Sequence, residues 1–292
     1  MGETSVKKSA VAFVEKPETR ETALKVKDFL EKRGRPCLLL SLTEKNFDID
    51  FSGFSLVVTL GGDGTVLFAA RRCASMGIPV FPVNFGKFGF IAGIPRNDWE
   101  RLLSDYLEGR ADISKRLMLE VKVVRDGVEI FSSSGLNDCV IGCAGISKIV
   151  ALEVSMGKIS LGEYRADGII IATPTGSTAY SAAAGGPIVD PGLDAFVVNP
   201  VCAFSLSSRP LVIPSCEDIR IRIPSGQASE LVLTVDGQEA LTLQADDRVL
   251  VKQYGFKAQI ISYTKEVFYD ALKNKLSWSG SWEITEGSRK KG

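Results

Sequence analysis

The sequence predicts two unlike halves: an α/β amino-terminal doubly wound domain and a β-rich carboxy-terminal domain. Two observations carry this. Up to about residue 109, apolar runs of strand length alternate with amphipathic runs at helical spacing, the pattern of a parallel sheet covered on both faces. From Leu117 the pattern changes to period-two segments broken by turn residues. The expected units are residues 1–115, 116–264 and a closing segment, 265–292.

Taken in order, "SAVAFVE" (9–15) reads as a buried strand. "ETRETALKVKDFLEKRG" (18–34) has apolar residues at helical spacing, with Gly34 as its C-cap. "PCLLLSL" and "FSLVVTL" (54–60) are strands, a helix runs from about Thr65 to Met76, "IPVFPVN" (78–84) is a strand, and "NDWERLLSDYLEG" (97–109) is a helix. In the second half, "LMLEVKVVRDGVEIFSSSGLNDCVIG" contains a hairpin turn at Asp126-Gly127, a dipeptide that tolerates the positive φ such a turn requires. Further strands follow in "KIVALEVSMGKI", "GIIIATP", "DIRIRIP", "ELVLTVDGQ" and "DRVLVKQYG". "KEVFYDALKNKLSW" (265–278) is a helix whose apolar face needs a partner.

Composition works by exclusion. The chain has 292 residues, 45% of them hydrophobic, which is enough for a sizeable core. Lys+Arg of 35 against Asp+Glu of 35 leaves no field of one sign to draw in nucleic acid or an anionic membrane. No apolar run approaches membrane-spanning length, and "MGETSVKKSA" lacks the apolar core of a signal peptide. The six cysteines, Cys37, Cys73, Cys139, Cys143, Cys202 and Cys216, form no CxxC pair and mostly sit in apolar runs, so reduced thiols and a cytoplasmic setting are expected. The chain has no histidine, which excludes a Ser-His-Asp triad, a Cys-His pair and any imidazole metal ligand. Acids and bases must come from Asp, Glu, Lys, Tyr or Cys.

Chemistry concentrates in "LVVTLGGDGTVLFAARR" (56–72), where the lone Asp63 sits among glycines between a strand and a helix. Such a junction presents free backbone N–H groups and the positive end of the helix dipole, which together suit phosphate. The segment is neither a Walker A loop nor a GxGxxG fingerprint. Two readings of Asp63 are open. It is an N-cap bonding the N–H of Thr65 or Val66, or it faces a hydroxyl beside a bound polyphosphate and accepts its proton. A second motif, "YRADGIIIATPTGSTAYSAAAGGPIV" (164–189), runs from a strand through the turn "TGST" into a helix of small residues. It reads either as a tight helix contact or as a second ligand loop. Arg165, Asp167, Asn137, Asp138 and Gln238 stand at strand ends, where ligand sites form.

With "GGDGT" (61–65), "LND" (136–138), "GSTAYS" (176–181) and "VDGQ" (235–238) in that order, the chain resembles the NAD kinase family from about residue 56 to "FYDALKNKLSWSG". The resemblance implies an NAD kinase/diacylglycerol kinase-like fold, with the last helix returning to pack on the first domain. It also implies phosphorylation of the adenosine 2′-hydroxyl of NAD to give NADP, using ATP or another polyphosphate and a divalent cation, magnesium. A homo-oligomer, dimer or tetramer, goes with it.

Carried over by residue, the resemblance makes Asp63 the proton acceptor and sets Gly64 at the substrate ribose, with Gly61, Gly62, Gly64 and Thr65 around the donor phosphates. Leu67 and Phe90 border the adenine; Asn137 and Asp138 contact the dinucleotide, with Lys148 nearby. Arg165 and Asp167 contact substrate, Asp167 at the nicotinamide amide. Thr175, Thr178, Ala179, Tyr180, Ser181, Ala182 and Ala183 form the loop that holds the dinucleotide, and Gln238 lies beyond it. No residue is assigned to a resident metal. Two positions depart from the family pattern. Asp138 replaces a usual Glu, so a bridging water is expected to make up the lost reach, and Phe88 replaces a common Leu in "GKFGF". A lipid kinase would share "GGDGT" but lack "GSTAYS", a sugar-phosphate kinase would need a basic constellation not found here, and a non-catalytic sensor would lose Asp63.

Overall fold

The computed structural model describes residues 7–42, 49–86, 89–144, 149–205, 207–225, 230–261 and 264–276. The first half runs β1 (Lys8–Val14), α1 (Pro17–Glu31), β2 (Cys37–Leu42), β3 (Phe54–Gly61), α2 (Asp63–Cys73), β4 (Val80–Asn84), β5 (Ile94–Pro95), α3 (Trp99–Leu107) and β6 (Ile113–Arg116). The second begins β7 (Leu119–Arg125), β8 (Val128–Gly135), β9 (Asp138–Cys143), β10 (Val150–Met156), β11 (Ile159–Ala166) and β12 (Gly168–Ala172). It continues with α4 (Tyr180–Ala183), β13 (Ala195–Val201), β14 (Leu211–Pro214), β15 (Ile219–Arg222), β16 (Leu231–Val235), β17 (Glu239–Leu243) and β18 (Arg248–Gln253), and ends in β19 (Ala258–Ile261) and α5 (Lys265–Leu276).

The first sheet has the order β2-β1-β3-β4-β19-β6, with β5 paired to β4. All its pairings are parallel except that of β6 with β19. Leu56, Val57, Val58 and Leu60 of β3 are buried on both sides of the sheet, which is why the segment is continuously apolar rather than alternating. On one face Phe29 and Leu30 of α1 and Trp99 and Leu103 of α3 pack against Val11 and Val58. On the other, Val66 and Phe68 of α2 join Phe268 and Leu272 of α5 against Ala10, Val57 and Ile260. The apolar face of the last helix thus finds its partner on the first sheet. The chain re-enters that sheet at β19, ahead of residue 265.

The second half is two antiparallel sheets packed face to face, of orders β11-β10-β15-β18-β7-β8 and β14-β13-β12-β9-β16-β17. Val121 and Val123 of β7, Ile169 and Ile171 of β12, and Leu231 and Leu233 of β16 share its core. β12 is buried on its outer face as well, where Ile170 and Ala172 pack with Val189 and Val197. The expected hairpin forms at Asp126 (φ 50°) and Gly127 (φ 81°), joining Arg125 to Val128.

Several expectations are corrected. α1 ends at Glu31 with Lys32 as its cap, and Gly34 takes its left-handed φ of 72° beyond the helix end. α2 starts at Asp63, two residues before the expected Thr65, with Gly62 as N-cap. "AYSAAAGG" forms only the short α4 after a 3₁₀ turn over Gly176–Thr178, because Gly185, at a left-handed φ of 79°, and Gly186 end the helix despite its alanines. β13, in "AFVVNPV", was not anticipated; its internal Asn199 and Pro200 mask the strand signal.

Register brings three segments to one end of the β14-β13-β12-β9-β16-β17 sheet. Asp138 pairs Ala172 and Cys139 pairs Val235, so residues 136–138, 173–178 and 235–238 emerge side by side. Gly176 packs so closely on this cluster that an added Cβ would overlap the Asn137 carbonyl. Gly176→Ala is therefore expected to cost ~1–3 kcal/mol of overpacking, read as a fall of several degrees in melting temperature by differential scanning fluorimetry.

Candidate functional site

Asp63 opens α2, but its carboxylate does not cap that helix. The N–H of Thr65 donates instead to the Gly62 carbonyl at 3.0 Å. The carboxylate reaches across to a loop: Oδ2 accepts the N–H of Phe90 at 2.7 Å, and Oδ1 accepts those of Ile91 at 3.1 Å and Ala92 at 2.8 Å. The N-cap reading of Asp63 is thereby overturned. A Cβ at Gly89 would come within 2.8 Å of Oδ1, so the approach needs glycine there. A carboxylate offers about four lone-pair sites, and three are taken. The remaining acceptor site belongs to Oδ2.

A second aspartate does the same for the facing loop. Asp236 sits at a positive φ of 52° in the turn between β16 and β17. It accepts the N–H groups of Leu136 at 2.8 Å, Asn137 at 2.8 Å and Asp138 at 3.0 Å. Thr173 ties the same segment from the other side, its N–H bonding the Asn137 carbonyl at 2.8 Å and its hydroxyl the Leu136 carbonyl. Asn137 and Asp138 are thus presented by a backbone fixed on both flanks.

These residues, with Ala179, Tyr180, Thr234 and Gly237, line a cleft of about 330 Å³. Asn137 Oδ1 is buried and has no hydrogen-bond partner among the described residues, an acceptor that calls for a donor from a ligand. Tyr180 is 49% exposed and offers a ring edge to the cleft mouth. Ser181 is buried, its hydroxyl and carbonyl accepting from Asn199 Nδ2 at 3.3 and 3.0 Å, so it fastens α4 rather than facing solvent. Ala182 and Ala183 complete that turn. Phe90, Thr175 and Thr178 meet around a small gap also lined by Phe268 of α5. Leu67 is core, packed with Phe68 and Leu136.

Other expected residues stand elsewhere. Arg165 and Asp167 flank the far end of β12, where Gly168 pairs Gly142; four residues at ~3.3 Å each put roughly 13 Å between that end and Ala172. There the Arg165 guanidinium lies 5.7 Å from the centroid of the exposed Phe204 ring. Lys148 and Phe88 lie outside the described residues. Gln238 has both amide ends occupied: Oε1 accepts from Arg71 at 3.2 Å and Nε2 donates to the Gly64 carbonyl at 2.9 Å. Sequence reasoning missed Arg71 and Asp236. The positive φ demanded by the Asp-Gly turn was the available signal for Asp236.

No cluster of three acidic or cysteine ligands for a metal ion exists among the described residues.

Burial pushes the Asp138 carboxyl up to about 7, and the Asp236 charge beside it adds to the shift. Burial pushes Asp236 up as well, while the N–H groups of Leu136, Asp138 and Asn137 and the Arg71 guanidinium draw it back. Those donors favour the charge on Asp236 over a charge on Asp138. An unfolded Asp ionises near ~3.9, so between there and about 7 the unfolded chain releases a proton that the folded one keeps, and stability falls across that window. Asp138→Asn removes the penalty. Its melting-temperature advantage over the wild type is expected to grow from pH 5 to pH 8 in a buffer series, whereas a difference independent of pH would refute a protonated Asp138.

Comparisons with known proteins agree with this arrangement. Residues 14–111 match the ATP-NAD kinase N-terminal domain and residues 136–263 the ATP-NAD kinase C-terminal domain. An NAD kinase of Treponema denticola is 42% identical over 272 residues, 93% of this chain and 96% of that protein. One from Treponema pallidum is 45% identical over 275 residues, covering 94% and 90%. In fold, the chain is similar to the crystal structure of a yeast NADH kinase complexed with NADH, with a TM-score of 0.82 at 23% identity over 97% of this chain and 91% of that one. An NAD kinase from Archaeoglobus fulgidus in complex with ATP gives 0.72 at 20% identity, covering 90% and 96%. With both domain models matched in order and relatives aligned nearly end to end, the chain belongs to the NAD kinase family, whose reaction is the phosphorylation of NAD to NADP.

Proposed function

We propose that the phosphoryl acceptor is the adenosine 2′-hydroxyl of NAD, and that the free acceptor site on Asp63 Oδ2 takes its proton as the phosphoryl group arrives. The observation that carries this reading is the seating of Asp63 on three backbone N–H groups. It locks the carboxylate in one orientation and leaves one lone pair for a hydroxyl. Because phosphoryl transfer passes through a loose transition state, alignment counts for more than basicity, and a carboxylate held this rigidly suits the task. The donor's phosphates would lie at Gly61, Gly62, Gly64 and Thr65, around the positive end of the α2 dipole. ATP or another polyphosphate would supply the group, and a divalent cation, magnesium, would offset the charge of its phosphates. The dinucleotide would rest in the cleft of Asn137, Asp138, Ala179 and Tyr180, with Asn137 Oδ1 accepting from it.

Burial pushes the Cys37 and Cys73 thiols up to about 12, so these two are inert, and a cytoplasmic setting is the one we infer. No described helix is long and apolar enough to cross a membrane. A homo-oligomer, dimer or tetramer, is the assembly we infer from the family, to be read by light scattering.

In a coupled NADP assay, Asp63→Asn is expected to lower turnover by roughly 10²–10⁴-fold, with a fall in melting temperature because an amide can accept from only part of the 90–92 loop. 2′-Deoxy-NAD should yield no product with the wild type. Turnover within a few-fold of wild type in the variant would remove Asp63 from the chemistry.

A further inference from the structure

Arg71 is a buried cation that the transfer chemistry leaves unused. It lies on α2 eight residues after Asp63, roughly 12 Å along the helix axis, and is 8% exposed. Every arm of its guanidinium serves the other half of the molecule. Nε donates to the Ser134 carbonyl, Nη2 to the Ser133 hydroxyl at 2.8 Å and to Glu239, and Nη1 to Gln238 Oε1 at 3.2 Å. The Asp236 carboxylate lies 3.9 Å from Nε.

Both ends of this contact lead back to the site. Gln238 passes the connection on to the Gly64 carbonyl, next to Asp63. Asp236 passes it on to the backbone of Leu136, Asn137 and Asp138. One planar cation therefore spans the proton acceptor's helix and the strand start that faces the dinucleotide.

We propose that Arg71 is a positioning residue for the transfer step, fixing through Gln238 and Asp236 the register between Asp63 and the Asn137-Asp138 backbone. This rests on the reading of Asp63 as proton acceptor. Neutralising Asp236 and Glu239 alone would not require arginine, since a lysine ammonium carries the same charge. Only the planar fork can hold Ser133, Ser134 and Gln238 at once. A misplacement of about 1 Å between reacting groups costs on the order of 10²-fold in rate, so the fork's geometry is read in turnover rather than in binding.

The test uses Arg71→Lys and Gln238→Met, singly and combined, in the full-length protein. NADP formation, the NAD dissociation constant by calorimetry and the melting temperature are measured for each. Arg71→Lys keeps the buried acids paired, so it is expected to melt within a few degrees of wild type and to bind NAD within about threefold. Its kcat is expected to fall by roughly 10–100-fold. Gln238→Met is expected to lower kcat with little change in KM, and the double variant to lose no more than the worse single, because both cut the same relay. Wild-type kcat in Arg71→Lys would show that charge suffices and overturn the proposal. Losses that multiply in the double variant, or a Gln238→Met effect confined to KM, would do so as well. Should Arg71→Lys fail to fold, Gln238→Met decides alone by its kcat. Asp63→Asn runs alongside: if it retains turnover, the underlying reading falls, whereas its collapse beside a normal Arg71→Lys removes the positioning role only.

Discussion

The cleft depends on two carboxylates, Asp63 and Asp236, each seated on three consecutive backbone N–H groups of a loop that has no regular structure to satisfy them. Backbone donors buried at a domain junction must find acceptors, and an ionised carboxylate is the strongest one available. Each acid comes from a glycine-bearing turn, which lets it approach the loop closely. The loops at 90–92 and 136–138 thus owe their shape to an anion supplied from elsewhere in the chain. The protein's own negative charges are already compensated by backbone dipoles before any ligand arrives.

How much of this could be read from residues alone follows the range of each interaction. The alternation of β1 to α3 and the Asp126-Gly127 hairpin are local patterns, and the sequence carries them openly. The four-residue strands β6 and β19 are too short to show a period, and β13 is disguised by Asn199-Pro200. For the site, "GGDGT" announced Asp63, yet its three partners lie 27 to 29 residues away, and no local rule pairs them. Arg71 looks like any charged helix residue beside Arg72. Its burial arises because Ser133, Ser134 and Gln238 arrive from the other half of the chain. Arg165 and Asp167 show the converse: they share a motif with the cleft residues in sequence, while the length of β12 lies between them and the cleft.

The absence of histidine acquires a structural sense in this light. With no imidazole to titrate near neutrality, Asp138 is a group pushed into that range, and burial beside Asp236 does it. The two aspartates are set apart by their donors: three N–H groups favour the charge on Asp236, and Asp138 does not share them. Side-chain identity is the same. Backbone geometry makes the difference.

The position of β19 between β4 and β6 bears on how the molecule is made. The chain reaches this strand only after the whole sandwich, from Leu119 to Gln253, has been laid down. Until Ala258 leaves the ribosome, β4 and β6 lack their common neighbour, and the amino-terminal sheet carries two open edges. At translation rates of ~5–20 residues per second that exposure lasts on the order of ten seconds. The α/β half, although synthesised first, is thus the last to be sealed, and a nascent chain truncated before β19 would present unpaired strand edges to its neighbours.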